Sequence, residues 1–159
     1  MTQRLDPSKQ TPEIFKKMIE LTMAVKHGSV DHSTLHLVDI RASQLNGCAY
    51  CLDMHIKEAR IGGERELRIH HLPAWRESPL FSARERAALA WTETLTKLPA
   101  EGVSDEAFAA VRAEFSEKEV ADLTFQIMVI NSWNRQSIAF AFVPGSTDKL
   151  YGLDKANLA

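Results

Sequence analysis

"RASQLNGCAYCLDMH", residues 41–55, decides the fold class. Ahead of its two cysteines, Leu35, Leu37, Val38, Ile40, Ala42 and Leu45 fill a helical stretch that opens near "DHST" and stops at the Asn46-Gly47 breaker. A C-x-x-C motif of the thioredoxin type follows a strand in a βαβ setting; here a helix precedes it. A further helix is expected from Cys48 to Arg60, closed by Gly62-Gly63.

Reading outward from that break gives helices in both directions. Thr11 before Pro12 reads as an N-cap with proline at the first helical position, and Ile14, Phe15, Met18, Ile19 and Met23 follow at helical spacing up to Gly28. "EREL" starts a shorter segment that Pro73 is expected to terminate. Ser82 with Glu85 and Ser116 with Glu119 form two capping boxes, and Ser104 caps a short helix between the helices they open. No segment alternates as a strand with a hairpin turn, and no repeat or linker divides the chain. The expected fold is all-α, one domain over residues 1–159. The last helix, "EVADLTFQIMVINSWNRQSIAFAF", is apolar on most of its circumference, so it is expected to be central or covered by a partner.

Composition bounds the function. The chain has 159 residues, 45% of them hydrophobic and 25% charged, with a net charge of −2. That balance fits a soluble domain able to bury a core without a disulfide, and lacks the basic excess that nucleic acid or anionic lipid demands. "MTQRLDPSKQTPEIF" lacks the apolar run of a secretory leader, and no stretch is long enough to span a bilayer. The expected compartment is the cytoplasm, where thiols are held reduced and a permanent disulfide is unusual.

The chain's two cysteines, Cys48 and Cys51, then admit several readings. On a helix beginning after Gly47, Cys48, Cys51 and His55 fall on one face. A thiol in the first turn gains free backbone N–H groups and the positive end of the helix dipole. Lowering a cysteine pKa from ~8.5 to ~6.5 takes about 2.7 kcal/mol of preferential thiolate stabilisation, which a helix terminus and an imidazolium can supply. A zinc site is the second reading, with His36, His70 or His71 as a fourth ligand. A structural disulfide and two small buried core residues are the others. Attachment of haem is excluded because Leu52 follows Cys51.

"RASQLNGCAYCLDMH", "AWRESPLFSARERAALAWTE" and "VINSWNR" resemble segments of the alkylhydroperoxidase D family, within the carboxymuconolactone decarboxylase-like superfamily. The resemblance covers most of the chain. It implies a helical subunit of a trimer or hexamer and a thiol-dependent peroxidase or disulfide reductase without a cofactor. The substrate would be a hydroperoxide and the reductant an external dithiol. By the same resemblance Cys48 and Cys51 are the redox pair and His55 the base. The family's relay glutamate, twelve residues before the first cysteine, falls on His36, and a histidine sometimes present between the cysteines falls on Tyr50. Asp39, one turn from His36, is then a candidate for the missing charge, and His36→Glu is expected to raise turnover. Tyr50, Trp133 and Asn134 are possible pocket residues. A dithiol sensor is the alternative; lactone decarboxylation, suggested by the superfamily name alone, does not rely on a cysteine pair.

Overall fold

Polar caps at the helix starts divide this chain into its elements. The computed structural model describes residues 2–158, and among these no strand occurs. Asp6 caps α1 (Pro7–Gln10), a turn that the sequence reading omits. α2 (Pro12–Lys26) follows directly; Thr11 stands at its N-cap but gives no side-chain cap, because its hydroxyl donates to the carbonyl of Pro7 in closing α1. Asp31 caps α3 (His32–Asn46), and Cys48 caps α4 (Ala49–Ile61). α5 (Glu66–His71) runs on into a 3-10 turn, Leu72–Ala74. Pro73 does not end the chain's winding there, since the opening residues of a helix need no N–H donor.

Both predicted capping boxes form, opening α6 (Ala83–Thr96) and α8 (Glu117–Phe140), and Ser104 caps α7 (Asp105–Glu114) as expected. α8 ends on Ala141 in the left-handed region, φ 53°. A C-terminal strap of α9 (Asp148–Tyr151) and a 3-10 turn, Leu153–Ala156, completes the chain.

The central element is α3. One side of it joins Leu35 and Val38 to Trp91 of α6, Val111 of α7, and Leu123 and Ile127 of α8. The other joins Leu37 and Ile40 to Ala59, Ile69, Leu72, Trp75 and Leu89. A helix buried on opposite sides carries apolar residues around most of its girth, so α3 lacks the clean polar stripe of a surface helix. α8 matches its expected central role on one face only: Leu123 and Ile130 are buried, whereas Phe125 and Met128 are 50% and 55% exposed.

α2 departs further from expectation. Its periodic apolar residues do not face the core: Ile14 is 66% exposed and Met23 50%. α2 is instead tied to α8 by the Trp133 indole N–H, which donates to Thr22 Oγ1 at 2.8 Å, and by the edge-on packing of Phe15 against Trp133. Trp133 is therefore a helix anchor. No helix among the described residues is long and apolar enough to cross a membrane.

Candidate active site

The thiol pair sits at the junction of α3 and α4, in a turn that α8 holds from below. Gly47, at φ 69°, closes α3 in the left-handed conformation, which costs a residue without a side chain least. The Cys48 N–H then returns to the Ser43 carbonyl at 3.0 Å. Asn46 donates to Asn131 Oδ1 at 3.0 Å and Asn134 Oδ1 at 2.8 Å, and Asn134 donates to Ser43 Oγ at 3.0 Å. Asn134, fully buried, thus fixes the turn before the cysteines.

Cys48 is the N-cap of α4, one residue earlier than the first-turn position expected from sequence. Its extended backbone, φ −86° and ψ 94°, lets Sγ accept the Cys51 N–H at 3.3 Å. This is a sulfur in the place usually taken by a serine or aspartate oxygen. Cys48 and Cys51 are joined by a disulfide, their Cα atoms 5.4 Å apart, inside the range a bridge spans. The sulfurs pack against Ala42 of α3 and Ile130 of α8, and the two cysteines are only 1% and 2% exposed.

His55, 9% exposed, lies one turn beyond Cys51. Its Nδ1 is 2.7 Å from Glu58 Oε2 and 3.7 Å from Asp39 Oδ2. Burial alone would lower the pKa of His55, but Asp39 and Glu58 outweigh it and hold the imidazole above its ordinary value. Burial would raise Glu58 too, yet its bond to His55, the charge of His55 and the Lys26 ammonium bring it down to about 2. Lys26 Nζ is 2.9 Å from the other oxygen, Glu58 Oε1. Since an ionised carboxylate only accepts, Nδ1 carries the hydrogen, and Nε2 is the nitrogen left to exchange a proton.

Asp39 is 2% exposed, so it is not a solvated surface charge. Gln126 of α8 donates to Asp39 Oδ1 at 2.7 Å, and burial keeps the Asp39 pKa raised against the pull of His55 and Gln126. His36 also reaches this region. It is partly buried, and its Nε2 lies against the end of α4, 3.2 Å from where a side chain on Gly62 would begin. Burial pushes its pKa down; Glu58 pulls the other way, and His55, Lys26 and His32 add to the lowering.

Of the four residues expected from sequence, Cys48, Cys51 and His55 follow one another along α4, whereas His36 on α3 lies at the far end of that helix, beside Gly62. Sequence reasoning missed Glu58 and Lys26. The first was legible: Cys48, Cys51, His55 and Glu58 step by three, four and three residues, the period of a single helix face. Lys26 comes from α2 and has no local signal. Tyr50 packs against the disulfide, with its hydroxyl 2.9 Å from Thr147 of the strap. Two of the histidines considered for a zinc site lie elsewhere: His71 bonds Ser78, and His70 pairs with Glu66 at the surface. Among the described residues no group of three or more His, Cys, Asp or Glu is arranged to hold a metal ion.

The sequence and fold have known relatives. The carboxymuconolactone decarboxylase family model matches residues 12–94, more than half of the chain. The uncharacterized protein YdfG of Bacillus subtilis is 43% identical over 139 residues, 87% of this chain and 95% of that protein. The crystal structure of a protein of unknown function from Agrobacterium tumefaciens, provisionally assigned as the antioxidant defence protein AhpD, superposes with a TM-score of 0.86. It is 40% identical, over 90% of this chain and 98% of that one. An uncharacterized peroxidase-related protein from Ralstonia eutropha, described as an alkylhydroperoxidase AhpD core, gives a TM-score of 0.77 at 20% identity. That match spans 87% of this chain and 74% of the other, and the likeness is one of fold. With the family match running through the cysteine pair and His55, this chain is a member of the carboxymuconolactone decarboxylase family with an alkylhydroperoxidase D-like fold.

Proposed function

We propose that this protein is a thiol-dependent peroxidase with an antioxidant role, using Cys48 and Cys51 as a redox pair and His55 as its proton carrier. The reading rests on one observation above the others: a Cys48–Cys51 bridge at the start of α4, with His55 one turn on and backed by carboxylates. The antioxidant assignment of the Agrobacterium relative supports it.

In the reduced protein, an imidazolium at His55 stabilises the Cys51 thiolate. The thiolate attacks a hydroperoxide oxygen: an S–O bond forms, the O–O bond breaks, and His55 Nε2 gives its proton to the departing alkoxide. The products are an alcohol and a sulfenic acid on Cys51. The Cys48 thiol then condenses with it, releasing water and forming the disulfide. An external dithiol resets the pair, becoming oxidised itself. We place this chemistry in the cytoplasm, where such dithiols are kept reduced, and in a homo-oligomer. Assembly is supported by the apolar side chains that α2 and α8 leave in solvent, among them Ile14, Met23, Phe125 and Met128. Neither a nucleic acid nor a membrane is a partner in this reading.

A second reading, a dithiol switch or disulfide reductase with little peroxide turnover, is favoured by the burial of both cysteines, 1% and 2% exposed. Peroxide consumption by purified protein with dithiothreitol as reductant separates the two. Steady consumption that Cys51→Ser abolishes supports the peroxidase. A reducible disulfide without steady consumption supports the switch.

A further inference from the structure

We propose that Glu58 is the positioning residue of the thiol centre, completing on α4 alone a Cys51–His55–Glu58 row that takes over the role the family gives to a glutamate at position 36. The proposal rests on the dithiol reading and names what sets the protonation of its histidine.

Geometry supplies the argument. Residues 51, 55 and 58 lie on one helix face, and helical side chains lean towards the N-terminus, so Glu58 covers His55 and His55 covers Cys51. The Glu58 carboxylate is fixed at both oxygens. Oε2 accepts from His55 Nδ1 at 2.7 Å, and Oε1 accepts from Lys26 at 2.9 Å. Anchored by a second helix, it holds Nδ1 and leaves Nε2 as the free nitrogen of the ring.

Asp39 approaches the same nitrogen, but at 3.7 Å it is beyond hydrogen-bond length. Its Oδ1 is occupied by the Gln126 amide, whose own carbonyl oxygen is buried without a partner. Asp39 therefore adds field, and Glu58 makes the bond. The ionisable groups that act on His55 come from α2 (Lys26), α3 (His36 and Asp39) and α4 (Glu58), and α8 contributes only the neutral Gln126. His36, whose Nε2 lies beside Gly62 and whose pKa burial lowers, is not hydrogen-bonded to the ring. The carboxylate that the family draws from α3 is here drawn from α4, three residues after the histidine it serves.

The test uses the full-length reduced protein and two readouts, the NMR titration of His55 and the pH profile of iodoacetamide alkylation at Cys51. Glu58→Gln should lower the His55 midpoint by about one pH unit, raise the apparent thiol pKa, and slow alkylation near neutral pH by about tenfold. Glu58→Asp should recover part of both. Asp39→Asn should move the midpoint less than Glu58→Gln does. Lys26→Met separates the bond from its anchor, because it breaks the α2 pair while leaving the bond to His55; it should change the alkylation profile less than Glu58→Gln does. An unmoved His55 midpoint in Glu58→Gln overturns the proposal, as does a Lys26→Met profile that copies that of Glu58→Gln. The titration is read whether or not peroxide is consumed. A shifted midpoint in a protein that consumes no peroxide refutes the peroxidase reading and leaves the positioning role standing.

Discussion

At the scale of single residues, the site is governed by protons. The imidazole of His55 is buried beside two carboxylates and held above its ordinary pKa, the state that the proposed mechanism requires of a proton donor beside a thiolate. His55→Ala should raise the pKa of the attacking thiol and slow iodoacetamide alkylation at pH 7 by about tenfold or more, with the fold retained by circular dichroism. An alkylation profile identical to wild type would make His55 structural. The same groups set a stability window. Because His55 is raised, its stabilising charge is fully present below about pH 6.5 and is lost as pH climbs through the folded value. Because Glu58 is lowered to about 2, its contribution is present above about pH 4.5 and is lost as pH falls towards 2. Thermal unfolding of the oxidised protein should therefore show highest stability between those limits. Glu58→Gln should flatten the acid limb; an unchanged limb would remove Glu58 from the account.

Among the elements, the α3–α4 junction matters most. Its turn depends on Gly47, whose φ of 69° disfavours a side chain although nothing lies within 4 Å of the position a Cβ would take. Gly47→Ala therefore meets only backbone strain, about 1 kcal/mol. For a chain of this length that is a fall in Tm of about 2–4 °C, measurable by calorimetry. A much larger loss would mean that the turn is being rebuilt and the Cys48 cap lost with it. The start of α4 was readable in sequence because Asn46-Gly47 is a strong breaker. The sulfur cap was not, because whether Cys48 precedes or enters the helix turns on a single ψ angle. α1 escaped notice for a similar reason: four residues are too few for periodicity to register.

For the whole molecule, the proposed dithiol chemistry implies a redox couple tuned by its surroundings. If His55 keeps its proton in both states and Cys51 is released as a thiolate, reduction of the bridge takes up two electrons but a single proton, which goes to Cys48. The midpoint potential should then fall by about 30 mV per pH unit near neutrality, about half the slope of a couple that protonates both thiols. Equilibration with glutathione at several pH values measures it, and a slope near 60 mV would show that His55 is not holding Cys51 ionised. In Glu58→Gln the slope should steepen, since the imidazolium is weakened.

Local chemistry determined much of this protein before any packing was considered. The capping boxes at Ser82 and Ser116, the Asp31 and Ser104 starts and the Gly47 stop each act within a few residues, so the helices and the alkylhydroperoxidase D-like signature could be read along the chain. The C-x-x-C-x-x-x-H row, and the Glu58 that extends it, likewise follow from helical period. Tertiary structure alone decided which apolar face is covered. The periodicity of α2 is cleaner than that of α3, yet α2 exposes Ile14 and Met23 while α3 is buried on opposite sides. Periodicity records that a face is apolar, not what lies against it. It decided, too, that Asp39 is enclosed and tied to Gln126, 87 residues away, and that Lys26 reaches Glu58 across 32 residues. Such pairings depend on how helices cross, a property of the assembled core that no local window contains.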